Sequence, residues 1–277
     1  MSVQSPSPTL SVALSRGRRR ATYYLLTPSN RYASRLAELP ETTVFKLATP
    51  RTGTARFGQY LLEIAPGGGS TAPIGHGYEH FLLALEGEPT LDGIPLPNGA
   101  FAYVPQGNGM TLANAATAST ARVMWLKRRY EPTAGLQPPA PIRGHRNDLP
   151  VLTTPVGVLR SELLPPDDPA HDFNVSLLAF PPGVSLGQVE IHDEEHGLYM
   201  TSGSGIYHLD GSDHEVVAGD FIYMAPTAHS PSHQPDPSRP NTSCTRTSTA
   251  TDSDPHRSAA PVPRSCPASA SEPPIRA

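Results

Sequence analysis

Two copies of one β-unit run in tandem along this chain. Leu61–Gly67 aligns with Leu177–Gly183 at an offset of 116 residues, and the same offset pairs His76 with His192, Glu79-His80 with Glu195-His196, and Gly87 with Gly203. After a four-residue insertion, Gly99–Tyr103 matches Gly219–Tyr223. Each copy is a series of short apolar runs closed by Gly or Pro, which is how strands joined by tight turns read. A unit of this kind that occurs twice predicts an all-β chain of two small tandem barrels.

Composition agrees and excludes several function classes. With 33 prolines and 23 glycines the chain favours turns over helices, and a net charge of −4 points to neither nucleic acid nor an anionic membrane as partner. No apolar run approaches the roughly 20 residues that span a bilayer. Arg16, Arg18, Arg19 and Arg20 follow the weakly apolar Leu10–Leu14 stretch, the reverse of a secretory signal, so none is expected. Cys244 and Cys266 both fall in the polar tail and form no disulfide framework, so a cytoplasmic location is the expectation. The expected division is a disordered leader over 1–20, a first barrel with an edge segment over 21–130, a linker over 131–150, a second barrel over 151–226, and a disordered tail over 227–277.

The chemistry concentrates at Glu190–Gly197. On a strand, Glu190 and His192 share a face, and a bend at the acidic residues returns His196 to them. One carboxylate and two imidazoles suit a borderline divalent metal. The competing reading is a solvated acidic edge strand with incidental histidines. In the first copy His76 and His80 keep the imidazoles, but Ile74 stands where Glu190 does, so a structural or gating role is expected there. Glu194 and Glu195 are expected to face solvent, and Lys127 and Arg128 to form a solvated cluster at a strand end.

Pro-Gly, a His cluster ending in Gly, and a later Gly-Asp-x-Ile-x-x-x-Pro resemble the cupin double motif, and two such units resemble a bicupin. Glu190-x-His192-x-x-x-His196-Gly197, Gly203–Tyr207, Leu126–Tyr130 and Leu25–Pro28 are together similar to the (S)-ureidoglycine aminohydrolases, over about residues 21–226. That resemblance implies a Mn²⁺-dependent hydrolysis of (S)-ureidoglycine to (S)-ureidoglycolate and ammonia in purine degradation. It implies Glu190, His192 and His196 as metal ligands, with a Gln from a later strand as the fourth. Glu190 is also a catalytic and substrate-binding candidate, Tyr207 faces the substrate, and a late Tyr-Lys-Asp strand adds contacts. The small-molecule substrate is the expected partner, and a homo-oligomer is implied, with Ala21–Pro50 as a plausible interface. The alternatives are a non-catalytic small-molecule-binding bicupin, or a cupin dioxygenase, a class that typically uses three His with one Glu.

After Pro226 the resemblance stops. Residues 227–277 contain no Leu, Phe, Tyr, Trp or Met, and on that ground are expected to supply no barrel strand, leaving the second barrel incomplete at its C-terminus. A single lost base accounts for this. Thr245–Ala250, back-translated and read one base earlier, becomes Tyr-Lys-Asp-Val-Asn-Arg, the family's closing strand. Pro226–Ser230 becomes Pro-Tyr-Cys-Pro-Gln, which places a Gln at position 230. His229 and His233 are candidate substitute ligands, and impaired activity is the expectation.

Overall fold

The structure, a computed structural model, describes residues 16–51, 54–186, 189–191, 194–226, 229–231, 233–235 and 242–249, with backbone alone described at 189–191 and from 229 onward. Its described residues are strands joined by turns, with two short 3₁₀ turns at Pro28–Asn30 and Arg146–Asp148. The fold is all-β, two barrels in one chain, the arrangement that the bicupin resemblance implies. None of the described helices is long and apolar enough to cross a membrane.

In the first barrel a seven-stranded sheet runs Ile142–His145, Ala100–Val104, Glu79–Glu86, Ala121–Arg128, Gly58–Ile64, Thr42–Ala48, Ala33–Ser34. A small sheet of Leu112–Ala113, Thr90–Leu91 and Ile94–Pro95 faces it. The second barrel repeats the plan. Its eight-stranded sheet runs Arg18–Arg19, Tyr23–Leu26, Phe221–Met224, Glu195–Ser202, Thr242–Thr249, Phe173–Phe180, Leu159–Glu162, Leu152–Thr153. Opposite lie Ser212–Val217, Ser204–Leu209 and His233–Pro235 as one sheet, and Val189–Ile191 with His229–Pro231 as a pair. The turns of the two copies match as well. Gly87 and Gly203 both hold φ 75°, and Gly99 and Gly219 hold 89° and 90°, a left-handed conformation that a side chain strains.

Alternation along the strands sorts side chains into three apolar bodies. Leu62, Leu82, Val123 and Trp125 fill the first lumen; Leu178, Phe180, Leu198 and Met224 fill the second. The opposite faces of the same strands, with Leu61, Phe81, Phe101, Val175, Tyr199 and Phe221, meet between the barrels.

Two findings revise the sequence reading. The edge strands are exchanged. Tyr23–Leu26, counted with the first barrel, pairs antiparallel with Phe221–Met224 of the second, and Ile142–His145, counted as linker, pairs with Ala100–Val104 of the first. Thus the segment that precedes each barrel completes the sheet of the other. The second finding corrects the tail. Thr242–Thr249 is a strand, paired with Phe173–Phe180 on one side and Glu195–Ser202 on the other, in the position Ala121–Arg128 takes in the first barrel. Lack of large apolar residues argued against a strand, but a ladder between two strands is made by backbone groups, and Thr is a good strand former through its β-branch. The remainder of 227–277 outside the ranges above lies outside the described residues.

Candidate functional site

Within Glu195–Ser202 the side chains alternate between the second lumen and the inter-barrel layer. Leu198 and Met200 belong to the lumen and Tyr199 to the layer, so His196 falls on the lumen face, where it is 2% exposed. Tyr207, on the facing sheet, is buried in the same lumen, and its hydroxyl donates to Met224 Sδ at 3.8 Å. Met224 is the register partner of His196, so the phenol and the imidazole end in the same part of the barrel. Glu190 lies on Val189–Ile191, whose partner strand His229–Pro231 runs close to Ser204–Leu209. Its backbone stands opposite Ser230, and Ile191 opposite His229. His233 is the register partner of Tyr207. His192 lies outside the described residues. Among the described residues no group of three His, Cys, Asp or Glu is placed to hold a metal ion. The structure therefore brings His196 and Tyr207 together and sets the Glu190 backbone on the facing wall.

The equivalent position in the first barrel is chemically closed. His80 Nδ1 accepts from Trp125 Nε1 at 3.1 Å, which leaves the proton on Nε2, donated to Gly75 O at 2.9 Å. Burial lowers the His80 pKa from 6.5 to about 4, with nearby Lys127 opposing protonation further and the Gly75 carbonyl favouring it. Both nitrogens are thus committed and the ring stays neutral, a structural histidine. His76 is exposed, its ring against Gly109, where an added Cβ would come within 2.4 Å of it. In the second barrel Arg246 takes the register place of Trp125, so that copy carries no indole there to claim the histidine.

Two residues expected at the surface, Glu195 and Arg128, are interior, and a third, Lys127, is half-buried. Glu195 is fully buried on the inter-barrel face, its carboxylate accepting from Arg56 N at 2.9 and 3.0 Å and from the Tyr223 hydroxyl at 3.0 Å. Its repeat partner Glu79 accepts from the Tyr103 hydroxyl at 2.7 Å. Burial first, then the adjacent Asp172 carboxylate, push Glu79 up from 4.5 to about 10. Glu79 Oε1 and Asp172 Oδ1 are both buried without a donor, and the proton that Glu79 retains is the one that joins them. Arg128, 3% exposed, donates to Asp172 O at 2.9 Å and to Glu131 at 3.2 Å. Lys127 is half-buried, its Nζ 4.7 Å from the Trp125 ring centroid and 5.1 Å from that of Tyr78.

The two copies therefore reach across the interface in the same way. Residues 54–57 of the first bind Glu195 and Tyr223 of the second; residues 171–173 of the second bind Glu79, Tyr103 and Arg128 of the first. Gly197 completes the fit, since a Cβ there would lie 2.2 Å from Gln59 Oε1 and 3.1 Å from Phe57. The sequence signal for this layer was the repeated Glu-His dipeptide: alternation that sends the histidine into the lumen sends the glutamate the other way.

No family model matches the chain. The chain is 32% identical over 213 residues to an (S)-ureidoglycine aminohydrolase of Escherichia coli, across 74% of this chain and 80% of that protein. It is 32% identical over 207 residues to an (S)-ureidoglycine aminohydrolase of Arabidopsis thaliana, across 73% of this chain and 67% of that one. Its fold is similar to the crystal structure of the protein Ylba from E. coli, with a TM-score of 0.75 and 27% identity, over 88% of this chain and 98% of the other.

Proposed function

This chain belongs to the (S)-ureidoglycine aminohydrolase family, and from that premise we propose that it is a metal-dependent hydrolase converting (S)-ureidoglycine to (S)-ureidoglycolate and ammonia in the cytoplasm. The observation that carries this reading is the convergence of His196 and Tyr207 in the second lumen, where the matching histidine of the first barrel is sealed by Trp125 and Gly75. Glu190, His192 and His196 form the donor set, a carboxylate with two imidazoles, suited to Mn²⁺. Bound there, such an ion supplies Lewis-acid charge for the substrate's carboxylate and amine. Tyr207 orients the substrate from the facing sheet, and Glu190 ligates or relays the proton that leaves with ammonia. The apolar lumen keeps bulk water from the reacting carbon. A homo-oligomer, with no nucleic-acid or membrane partner, goes with this reading.

The tail enters the proposal through register. Ser230 stands opposite Glu190, and the frame shifted by one base places a Gln there; Thr242–Thr249 lies where the closing strand belongs. We read this as a one-base loss near codon 226 that preserves the strand's place and removes its chemistry, so the present chain is impaired. The test is ammonia release from freshly made ureidoglycine with added Mn²⁺, run on this chain and on a frame-restored one. Turnover at least tenfold higher in the restored chain supports the proposal; release from neither overturns it in favour of a small-molecule-binding bicupin.

A further inference from the structure

Lys127 stands at one end of the first lumen. It follows Val123 and Trp125 on the lumen face of Ala121–Arg128, and its register partners are His80 on one side and Gly58 on the other. Three rings surround its ammonium. Nζ lies 4.7 Å from the ring centroid of Trp125, 5.1 Å from that of Tyr78 and 5.5 Å from that of Tyr60. Gly58 makes room for this arrangement, since a Cβ there would come within 2.6 Å of the Tyr60 ring. Tyr78 is 39% exposed, so the cage opens to solvent on that side.

Among the described residues no carboxylate reaches ion-pair contact with this amine. Glu38 favours its charge from a distance, but burial opposes that charge more strongly and lowers the Lys127 pKa from 10.5. Rings hold a cation by their quadrupole and accept no proton from it. The fold therefore presents a fixed, partly desolvated amine where an ion pair would be ordinary, and such lysines are the ones that react with carbonyl carbon. In the second barrel Ser248 takes the corresponding register place, opposite His196, so the amine belongs to the first barrel alone.

We infer that Lys127 is a carbonyl-binding site that takes a small aldehyde as an iminium held among Tyr60, Tyr78 and Trp125. The ammonium gives one proton to solvent, and its lone pair closes on the carbonyl carbon. A second proton passes from nitrogen to oxygen to give the carbinolamine. A solvent proton then lets that oxygen leave as water, and the carbon–nitrogen double bond forms. The positive charge is the same at the start and at the end, so the three ring contacts survive the reaction. Acylation would remove that charge, and the cage disfavours it. The site stands independently of the hydrolase reading, which uses the second lumen.

Lys46 and Lys127 are the only lysines of the chain, and both are half-buried, so each serves as the measure of the other. The test is reductive trapping of the full chain at pH 7 with propanal and cyanoborohydride, followed by chymotryptic digestion and mass spectrometry of the peptides that carry the two lysines. Propylation is expected at least fivefold faster at Lys127 than at Lys46. Tyr78→Ala, checked for native circular dichroism and Trp125 fluorescence, should lower that ratio at least threefold, and Tyr78→Phe, which keeps the ring, should hold it within twofold. A lysine merely shielded by Tyr78 would react faster in Tyr78→Ala. Labelling of Lys127 no faster than Lys46, a rise of the ratio in Tyr78→Ala, or an equal fall in Tyr78→Phe would each overturn the inference.

Discussion

Glu79 shows how little a residue's type says about its state in this fold. Its carboxyl is fully buried between two barrels, beside Asp172, and its pKa is raised from 4.5 to about 10. A carboxyl whose folded pKa lies above its unfolded value contributes stability that is fully present below the unfolded pKa and is lost as pH rises through the folded one. The window here runs from about pH 5 to 10. Glu79→Gln, which keeps the shape and a donor for Asp172, should stay within about 1 kcal/mol of the native chain at neutral pH. It should also flatten the decline in denaturant midpoint toward pH 10. An unchanged alkaline slope in Glu79→Gln would show that the proton sits elsewhere. His80 makes the same point with the opposite sign, since burial lowers its pKa to about 4 and keeps the ring neutral at neutral pH.

At the scale of elements, the strand Thr242–Thr249 is the sharpest case. It contributes hydrogen-bond ladders on both edges, with Thr245 opposite Leu177 and Tyr199. Proline at a position between two strands removes a ladder donor and clashes with its neighbour, at a cost of about 3 kcal/mol or more. Thr245→Pro should therefore lower global stability by that amount in urea unfolding, whereas a substitution in an unpaired tail stays within about 0.5 kcal/mol. The exchanged strands Tyr23–Leu26 and Ile142–His145 belong to the same level. Each covers an edge of the other barrel's sheet, so Phe221–Met224 and Ala100–Val104 are interior strands rather than terminal ones.

Over the whole molecule, the inter-barrel layer ties the copies into one cooperative body. Phe57 and Phe173 are repeat partners, 2% and 3% exposed, each carried from its own barrel into that layer. Phe173→Ala should cost about 3–5 kcal/mol. Because the only tryptophan, Trp125, fills the first lumen, its fluorescence reports that barrel alone. The midpoint it records should fall when Phe173 of the second barrel is truncated. A tryptophan midpoint that ignores Phe173→Ala would mean the barrels unfold independently.

The sequence alone determined the repeat, the two barrels, their turn glycines, and the placement of His196 and Tyr207 inside the second barrel. These follow from local rules, strand alternation and the backbone needs of tight turns, which a residue's own neighbours display. Tertiary structure decided the rest. It turned Glu195 and Arg128 inward, locked His80 with Trp125 from another strand, sent Tyr23–Leu26 and Ile142–His145 to the opposite barrels, and gave Thr242–Thr249 a closing position its polarity did not advertise. Each of those depends on which backbone edge or buried partner waits at a distant point in the chain, and a backbone hydrogen bond carries no mark of it in the side chains.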